Sequence, residues 1–203
     1  MDYKMNGLTD KELLKMMVKE PREGVFEEVF ERFNMPDLIL NVSYEELITI
    51  DGIGDITAKK LVSLKEVFKR LSDSQYHTRK VKIKSPEDVY TLMKPIIGWL
   101  HVEEFYILLL NTKNEVDERI MISRGSLNAS IVHPREVFRQ AISKSAASII
   151  LVHNHPSAHT APSKEDIKIT KRLCEAGDII GIKVLDHIIV GNGYYSFKED
   201  RII

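Results

Sequence analysis

The stretch SIILVHNHPSAHTAPSKED, residues 148–166, joins a short apolar run to two histidines and then to a serine and an aspartate. Short apolar runs are typical of buried strands, so His153 and His155 are predicted to project toward one side of an extended chain. Ser163 and Asp166 are three residues apart and are predicted to share the first turn of a helix. The spacing therefore directs two imidazoles and one carboxylate toward a single point.

This combination predicts an open metal site. Zinc in catalytic sites typically takes three protein ligands and leaves its fourth position to water, and two histidines with one aspartate are a suitable set. We therefore predict zinc bound by His153, His155 and Asp166. Each part also has a simpler explanation. Residues 163–166 form a common capping-box pattern, and the two histidines could be buried, hydrogen-bonded side chains.

Hydrolysis at such a centre needs a base close to the water that zinc activates, whose pKa falls to about 7. Glu103 and Glu104 both precede the apolar run 105–110, and either could project over a site at the edge of the sheet. Both could equally be solvated charges at a strand end. Ser163 could donate a hydrogen bond to a developing oxyanion while it caps its helix.

A polar cluster near the C-terminus and the single cysteine limit the types of metal site that the sequence can form. In residues 185–187, Leu-Asp-His, Asp186 or His187 could orient a metal ligand, or both could be surface or satisfied interior residues. Cys174 is the only cysteine, so thiolate-rich metal sites are excluded. The Pro-Cys-x-x-Cys pattern of zinc base deaminases is likewise missing from the sequence.

Composition sets broader limits. The chain has 203 residues, of which 43% are hydrophobic and 29% charged, which is ordinary for one large or two small globular domains. The net charge of −1 gives no global attraction for nucleic acid, so a basic patch would have to be local. A single cysteine allows no intrachain disulfide and favours a cytoplasmic location. No apolar run approaches the roughly 20 residues that cross a bilayer, so we expect no membrane partner.

The pattern of elements predicts two domains. Residues 1–75 have helical periodicity, with a capping box at Thr9 and an apolar helical run that is predicted to end at Pro36. Residues 73–84 are polar and basic and predict a linker that runs into an edge strand. Residues 84–203 alternate strands with helices and include a hairpin, which indicates an α/β domain with a mixed sheet flanked by helices.

A glycine-containing turn is the main feature of the first domain. In residues 50–55, IDGIGD, Gly52 and Gly54 flank an isoleucine between two helices and allow a tight turn with positive φ. Such a turn can present backbone N–H groups to a phosphate. Lys59 and Lys60, on a following helix of about 15 residues, predict sequence-independent DNA binding. The alternative is a turn used only for packing, because aspartates at both ends of the loop oppose a phosphate.

Taken together, the motifs of the second domain resemble those of the RadC family of bacterial proteins. They stand in that family's order at residues 123–127, 133–136, 153–157, 162–166 and 185–189. The His-x-His-Pro and Ser-x-x-Asp elements with an upstream glutamate also match the JAMM (MPN-type) metalloprotease motif. The resemblance spans residues 85–203, and Gly52-Ile53-Gly54 resembles the helix-hairpin-helix region that precedes the catalytic domain in RadC proteins.

The resemblance implies a cytidine-deaminase-like three-layer fold for the second domain, preceded by a small all-α helix-hairpin-helix domain. It also implies zinc held by His153, His155 and Asp166. Glu103 would be the general acid/base and Ser163 would support the tetrahedral intermediate. Glu103 is preferred to Glu104 because the JAMM glutamate stands three residues before the core of the motif's apolar strand. Ala158 departs from the family pattern, which usually has glycine there.

The expected activity is zinc-dependent hydrolysis of peptide or isopeptide bonds in a peptide or protein substrate. A second hypothesis is nucleic-acid processing at the same centre. One zinc with one base suits acyl transfer better than phosphoryl transfer, which often uses two metals. A third is a DNA-associated module with a structural metal, although structural zinc is usually fully ligated by protein. RadC proteins are often labelled DNA-repair proteins, but the sequence gives no direct support for a repair step.

Overall fold

The computed structural model describes residues 7–78, 81–125 and 132–203. By contacts within the chain it divides into two compact units, Met1–Ser74 and Gln75–Ile203. Ser126 and Leu127 of the first RadC-like motif lie outside the described residues. Within the described ranges, no helix has both the length and the apolar character needed to span a membrane.

The first unit consists of helices around an apolar core. They are α1 (Asp10–Met17), α2 (Val25–Arg32), α3 (Met35–Leu40), α4 (Tyr44–Leu47) and α5 (Asp55–Thr78), whose residues after Ser74 are assigned to the second unit. Helix α1 begins at the predicted capping box, in which Thr9 and Glu12 cap each other. The prediction that Pro36 ends the α2 run is wrong, because α2 ends at Arg32 and Pro36 lies in the first turn of α3. Proline is tolerated there because its missing N–H would have had no helical partner.

Helix α5 is longer than the sequence pattern predicts. It has 24 residues, so residues 73–78 of the predicted linker are helical instead. Extending an existing helix adds one hydrogen bond for each residue fixed and therefore needs no apolar face. The predicted edge strand is reduced, among the described residues, to one bridge between Lys82 and Glu115. Of the two glycines before α5, only Gly52 has positive φ, at 87°.

The second unit alternates helices and strands as predicted. Its elements are α6 (Pro86–Ile97), β1 (Glu104–Leu110), β2 (Val116–Arg124), α7 (Pro134–Ser143), β3 (Ser148–Asn154), α8 (Lys164–Ile180), β4 (Lys183–Gly191) and β5 (Gly193–Ser196). The five strands form one sheet in the order β2-β1-β3-β4-β5. Strands β3 and β4 are parallel and the other neighbours are antiparallel. The predicted mixed α/β sheet is confirmed.

Helices cover both faces of this sheet. On one face, Met93 of α6 belongs to a buried cluster with Leu108 of β1. On the other, Phe138 of α7 belongs to a buried cluster with Ile107 of β1 and residues of α8. Neighbouring residues of one strand thus face opposite layers, as strand geometry requires. Each such large apolar side chain contributes about 1.5–3 kcal/mol by its burial. The sheet is therefore the middle of three layers.

Candidate metal centre

Four polar side chains converge where β3 ends. Among the described residues, Glu103, His153, His155 and Asp166 each offer one ligand atom, and these four atoms lie within 4.8 Å of one another. The Nε2 atoms of the two histidines are 3.0 Å apart. The Asp166 carboxylate lies 3.4 Å from the Nε2 atom of His153 and 3.5 Å from that of His155. The structure thus brings the three predicted ligands and the predicted base to one place.

Local structure explains why these residues meet. His153 lies in β3 and is fully buried. The backbone N–H of His155 donates to the carbonyl oxygen of Val190, at 3.1 Å, which keeps the chain beside β4 after β3 has ended. Asp166 lies in the first turn of α8, which begins immediately after the intervening loop. A strand end and a helix start therefore supply the ligand set.

Strand register separates Glu103 from Glu104. Strands β1 and β3 are antiparallel, with Phe105 opposite His153. Because side chains alternate along a strand, a residue two positions before Phe105 continues on the face that carries His153. The Oε1 atom of Glu103 accordingly lies 3.8 Å from Nε2 of His153 and 3.9 Å from Nε2 of His155.

Glu104 has other partners. It is 6% exposed and accepts a hydrogen bond of 2.8 Å from the hydroxyl of Tyr106. Its other carboxylate oxygen forms an ion pair of 3.3 Å with Arg124. The geometry therefore places Glu103 beside the histidines and holds Glu104 elsewhere, which favours Glu103 as the base.

Asn154, between the two histidines, was not singled out from the sequence. Its side chain is buried, accepts from the backbone N–H of Glu104 at 2.8 Å, and donates to the carbonyl oxygens of Leu100 and Val102 at 3.3 and 3.1 Å. These bonds fix the segment that leads into β1 and carries Glu103. The only sequence signal was its position inside the His-x-His motif, because its partners are about 50 residues away.

His155 is oriented by its own loop. Its Nδ1 atom lies 2.7 Å from the carbonyl oxygen of His159. A carbonyl oxygen can only accept, so Nδ1 carries a proton, and in the neutral imidazole Nε2 is then the nitrogen whose lone pair faces the cluster. The loop includes Ala158, whose φ of 60° is in the left-handed region that glycine adopts without strain. This is the position at which the RadC motif usually has glycine, and the Ala158 carbonyl accepts from the N–H of Asn192 at 2.8 Å.

The electrostatics suit a bound cation. Burial lowers the pKa of His153 to about 3, so its imidazole is neutral near pH 7. The hydrogen bond with the Asp166 carboxylate raises the pKa of His155. For Asp166, burial acts to raise the pKa, but the hydrogen bond with His155, the electrostatic interaction with His153 and the bonds with Ser163 together hold the pKa well below its ordinary value. The site therefore combines a carboxylate that stays ionised near pH 7 with a neutral imidazole at His153, and both groups can bind a cation.

The donor set fits zinc. Ligand atoms of a tetrahedral site with bonds of about 2.0–2.1 Å lie roughly 3.3 Å from one another. The separations among His153, His155 and Asp166, from 3.0 to 3.5 Å, are close to that value. If both histidines are neutral and protonated on Nδ1, their Nε2 lone pairs repel at 3.0 Å unless a proton or a cation lies between them. These three residues can therefore hold a divalent metal ion.

Ser163 is the N-cap residue of α8, and its side chain is exposed to solvent. Its hydroxyl oxygen accepts from the backbone N–H of Asp166 at 3.1 Å, and its own N–H donates to the Asp166 carboxylate at 2.7 Å. The capping box and the metal-ligand interpretation of Asp166 are thus compatible, because the same carboxylate also lies beside both histidines. Within the part of the chain that the structure describes, the Ser163 hydroxyl proton has no acceptor.

The predicted DNA contacts, Gly52, Gly54, Lys59 and Lys60, lie in the first unit. A Cβ atom at Gly52 would lie 2.7 Å from a methyl carbon of Val25, so close packing alone requires glycine there. Lys59 forms an ion pair of 2.9 Å with Asp55, at the first residue of α5. DNA binding at this turn stays a prediction, and these contacts favour the packing alternative.

Comparisons with known proteins agree with the motifs. A family model described as RadC-like JAB domain matches residues 83–202. A UPF0758 protein of Bacillus cereus (strain 03BB102) is 44% identical over 199 residues, which cover 95% of this chain and 88% of that protein. A UPF0758 protein of Bacillus anthracis (strain CDC 684 / NRRL 3495) has the same identity and coverage, and one of Bacillus cereus (strain AH187) is 43% identical.

Proposed function

The chain belongs to the RadC family, and we propose that its second unit is a JAMM-type zinc metallohydrolase that cleaves amide bonds in a peptide or protein substrate. A JAB domain indicates a metal-dependent hydrolase. The observation that carries the proposal is the position of the Glu103 carboxylate, 3.8 and 3.9 Å from the two ligand nitrogens. These two distances exceed the 3.0–3.5 Å among the other three ligand atoms, which suits a base beside the metal better than a fourth ligand of a structural site.

His153, His155 and Asp166 would hold the zinc ion. A bound zinc ion supplies Lewis acidity, which lowers the pKa of water and polarises a carbonyl oxygen. With a divalent ion bound, two neutral imidazoles and one carboxylate would leave the centre with a net charge of about +1. That charge suits an ion that polarises a carbonyl group. Burial of His153 and Asp166 keeps competing water away from these two side chains.

Glu103 would transfer the proton. Its side chain is 21% exposed, so it can reach both the ligand nitrogens and the solvent side of the site. It would accept a proton from the attacking water and deliver it to the amine that leaves. A positioned general acid/base typically contributes about 10²–10⁴-fold to the rate.

Ser163 would stabilise the oxyanion. Its oxygen is occupied as the acceptor for the N–H of Asp166, which fixes the hydroxyl beside the site. The hydroxyl proton can then point toward the negative charge that develops on the substrate's carbonyl oxygen. The helix cap thereby holds a hydrogen-bond donor in place before the substrate arrives.

Nucleic-acid processing is the less well supported alternative. The described residues contain a single cluster with metal-ligand character, and its four ligand atoms lie within 4.8 Å of one another, close enough to share one ion. Phosphoryl transfer often uses two metals. In the first unit, the pairing of Lys59 with Asp55 weakens the case for a phosphate contact at the turn. Amide hydrolysis agrees better with both observations.

The two neighbouring glutamates provide the test. We expect Glu103→Gln to keep zinc but to lower hydrolysis by about 10²–10⁴-fold, because the ligands remain and the acid/base is lost. Glu104→Gln, the matched control, should retain both zinc and activity. The measurement is zinc content together with mass-spectrometric analysis of peptide, isopeptide and DNA libraries incubated with the zinc-loaded protein. Loss of activity in Glu104→Gln alone, or cleavage of DNA alone, would contradict the proposal.

A further inference from the structure

A chain of buried hydrogen bonds connects two of the proposed ligands behind the metal site. The Nδ1 atom of His153 lies 2.8 Å from Nε2 of His187, on the side of the ring that faces away from the cluster. The Nδ1 atom of His187 lies 2.6 Å from the hydroxyl oxygen of Thr170. That hydroxyl lies 2.5 Å from the backbone carbonyl oxygen of Asp166, so the chain begins at one ligand and ends at another.

The donors in this chain can be assigned in order. The carbonyl oxygen of Asp166 can only accept, so the Thr170 hydroxyl donates its one proton there. The Thr170 oxygen must then accept from Nδ1–H of His187. A neutral His187 with its proton on Nδ1 has a lone pair on Nε2, which accepts from Nδ1–H of His153. His153 is thereby left with a lone pair on Nε2, the atom that faces the metal site.

Burial and aromatic packing hold the side chains of this hydrogen-bond chain in place. His153, Thr170 and His187 are all fully buried, and burial disfavours the charged form of an imidazole. Phe197 stacks on the ring of His187 with centroids 4.6 Å apart, and Phe105 contacts its edge at 5.5 Å. A fully buried ring in contact with two other aromatic rings cannot turn over without opening the core.

Asp186, the residue before His187, forms hydrogen bonds with the backbone and with Ser196, and none of these bonds belongs to the chain behind the metal site. Its carboxylate accepts from the backbone N–H groups of His187 and Lys198 at 2.7 and 3.0 Å, and from the hydroxyl of Ser196 at 2.6 Å. Its contacts fix the start of β4 and do not reach the ligands. Of the neighbouring residues Asp186 and His187, only His187 has a side chain that contacts a proposed ligand.

We propose that Thr170 and His187 are positioning residues that fix the Nδ1-protonated tautomer of His153 and so keep its Nε2 atom ready to bind metal. The proposal rests on the proposed function in one respect, that His153 and Asp166 are metal ligands. Thr170 also ties the backbone of Asp166 to the same chain, so loss of its hydroxyl should disturb both ligands at once.

The first test uses three variants on α8. Thr170→Val removes the hydroxyl at nearly constant volume and should weaken zinc binding by about 10–100-fold, the usual effect of losing a group that orients a ligand. Thr170→Ser keeps the hydroxyl and should restore affinity to near wild type. Ile169→Val, one residue earlier in the apolar core, loses packing without touching the chain and should leave zinc affinity unchanged. Zinc affinity is measured by competition with a chromogenic chelator.

The second test reads the tautomers directly in zinc-free protein by long-range ¹H–¹⁵N NMR of the histidine rings. We expect Nδ1-protonated His153 and His187 in wild type and in Thr170→Ser, and a loss of that preference in Thr170→Val. An Nε2-protonated His153 in wild type overturns the inference, as does wild-type zinc affinity in Thr170→Val. A wild-type protein that binds no zinc contradicts the proposed function instead, and the NMR result still decides the inference.

Discussion

Two helices of the second unit begin with the same local pattern and serve different purposes. Residues 85–88 and residues 163–166 both read Ser-x-Glu-Asp. In each, the serine N–H donates to the aspartate carboxylate, at 2.9 Å in α6 and 2.7 Å in α8. In each, the aspartate N–H donates back to the serine hydroxyl, at 3.4 and 3.1 Å. As capping boxes the two are equivalent.

They differ in what else the carboxylate contacts. The Asp88 carboxylate also accepts from the backbone N–H of Lys84 at 2.8 Å, and that bond is the main reason that its pKa is lowered. The Asp166 carboxylate is buried between the α8 start and the Nε2 atoms of His153 and His155. A capping box therefore fixes where a carboxylate is held, and tertiary packing decides what it can bind.

The largest expected effect comes from neutralising each aspartate. Asparagine can still accept the serine N–H, so Asp166→Asn and Asp88→Asn should both keep most of their cap. We expect Asp166→Asn to lose zinc affinity by more than the roughly 10–100-fold seen when a ligand-orienting group is removed. Asp88→Asn should bind zinc like wild type, as measured by chelator competition. Equal losses in both variants would mean that the effect comes from helix stability and not from ligation.

The two serines should separate capping from catalysis. Ser163→Ala and Ser85→Ala should each lower the free energy of unfolding by about 1 kcal/mol, because each removes one N-cap acceptor. Urea unfolding measures this. Only Ser163→Ala should also slow hydrolysis, by about 10²–10³-fold, because it alone removes an oxyanion donor. If Ser85→Ala slows hydrolysis as much, Ser163 acts only through stability.

Much of the site could be predicted from local pattern. The His-x-His pair ends an apolar run and the Ser-x-x-Asp pair starts a helix, so strand and helix periodicity alone bring three ligands together. The choice of Glu103 over Glu104 came from the family motif, because residues 105–110 are apolar throughout and their alternation does not select a face. The pairing of Phe105 with His153 supplies the physical reason for that choice.

The supporting residues could not be predicted in the same way. His187 reaches His153 only because β3 and β4, which α8 connects in the chain, lie side by side as parallel strands. Asn154 reaches backbone groups about 50 residues away. No local periodicity encodes such partners, because they depend on the order of strands in the sheet. The length of α5 was underestimated for another reason, since its last residues are polar and give no helical apolar pattern.

A smaller effect is expected at Ala158. Glycine would relieve the strain of a φ of 60° but would also add freedom to the unfolded chain, worth about 0.4–1 kcal/mol. We expect Ala158→Gly to change the free energy of unfolding by less than about 1 kcal/mol in either direction and to leave zinc affinity unchanged. Ala161→Gly, in the same loop but without a positive φ, should be less stable than Ala158→Gly. The opposite order would show that Ala158 is not strained.

The smallest effect is expected in the first unit. The candidate metal centre brings together groups of which His153 and Asp166 are buried, whereas the turn before α5 pairs its charges on the surface. There Asp55 contacts Lys59 at 2.9 Å and Asp51 contacts Arg22 at 2.8 Å. Exposed pairs of this kind are weak, but they place carboxylates where a phosphate would have to bind.

We therefore expect the double variant Lys59→Ala, Lys60→Ala to leave duplex-DNA affinity and its salt dependence unchanged. The matched control is Lys164→Ala, Lys168→Ala on the exposed side of α8. Binding titrations at several salt concentrations give the slope, which falls by about 1 for each lysine that contacts a phosphate. A fall of that size in the first variant alone would assign the turn to DNA, and the Asp55 pair would then have to open on binding.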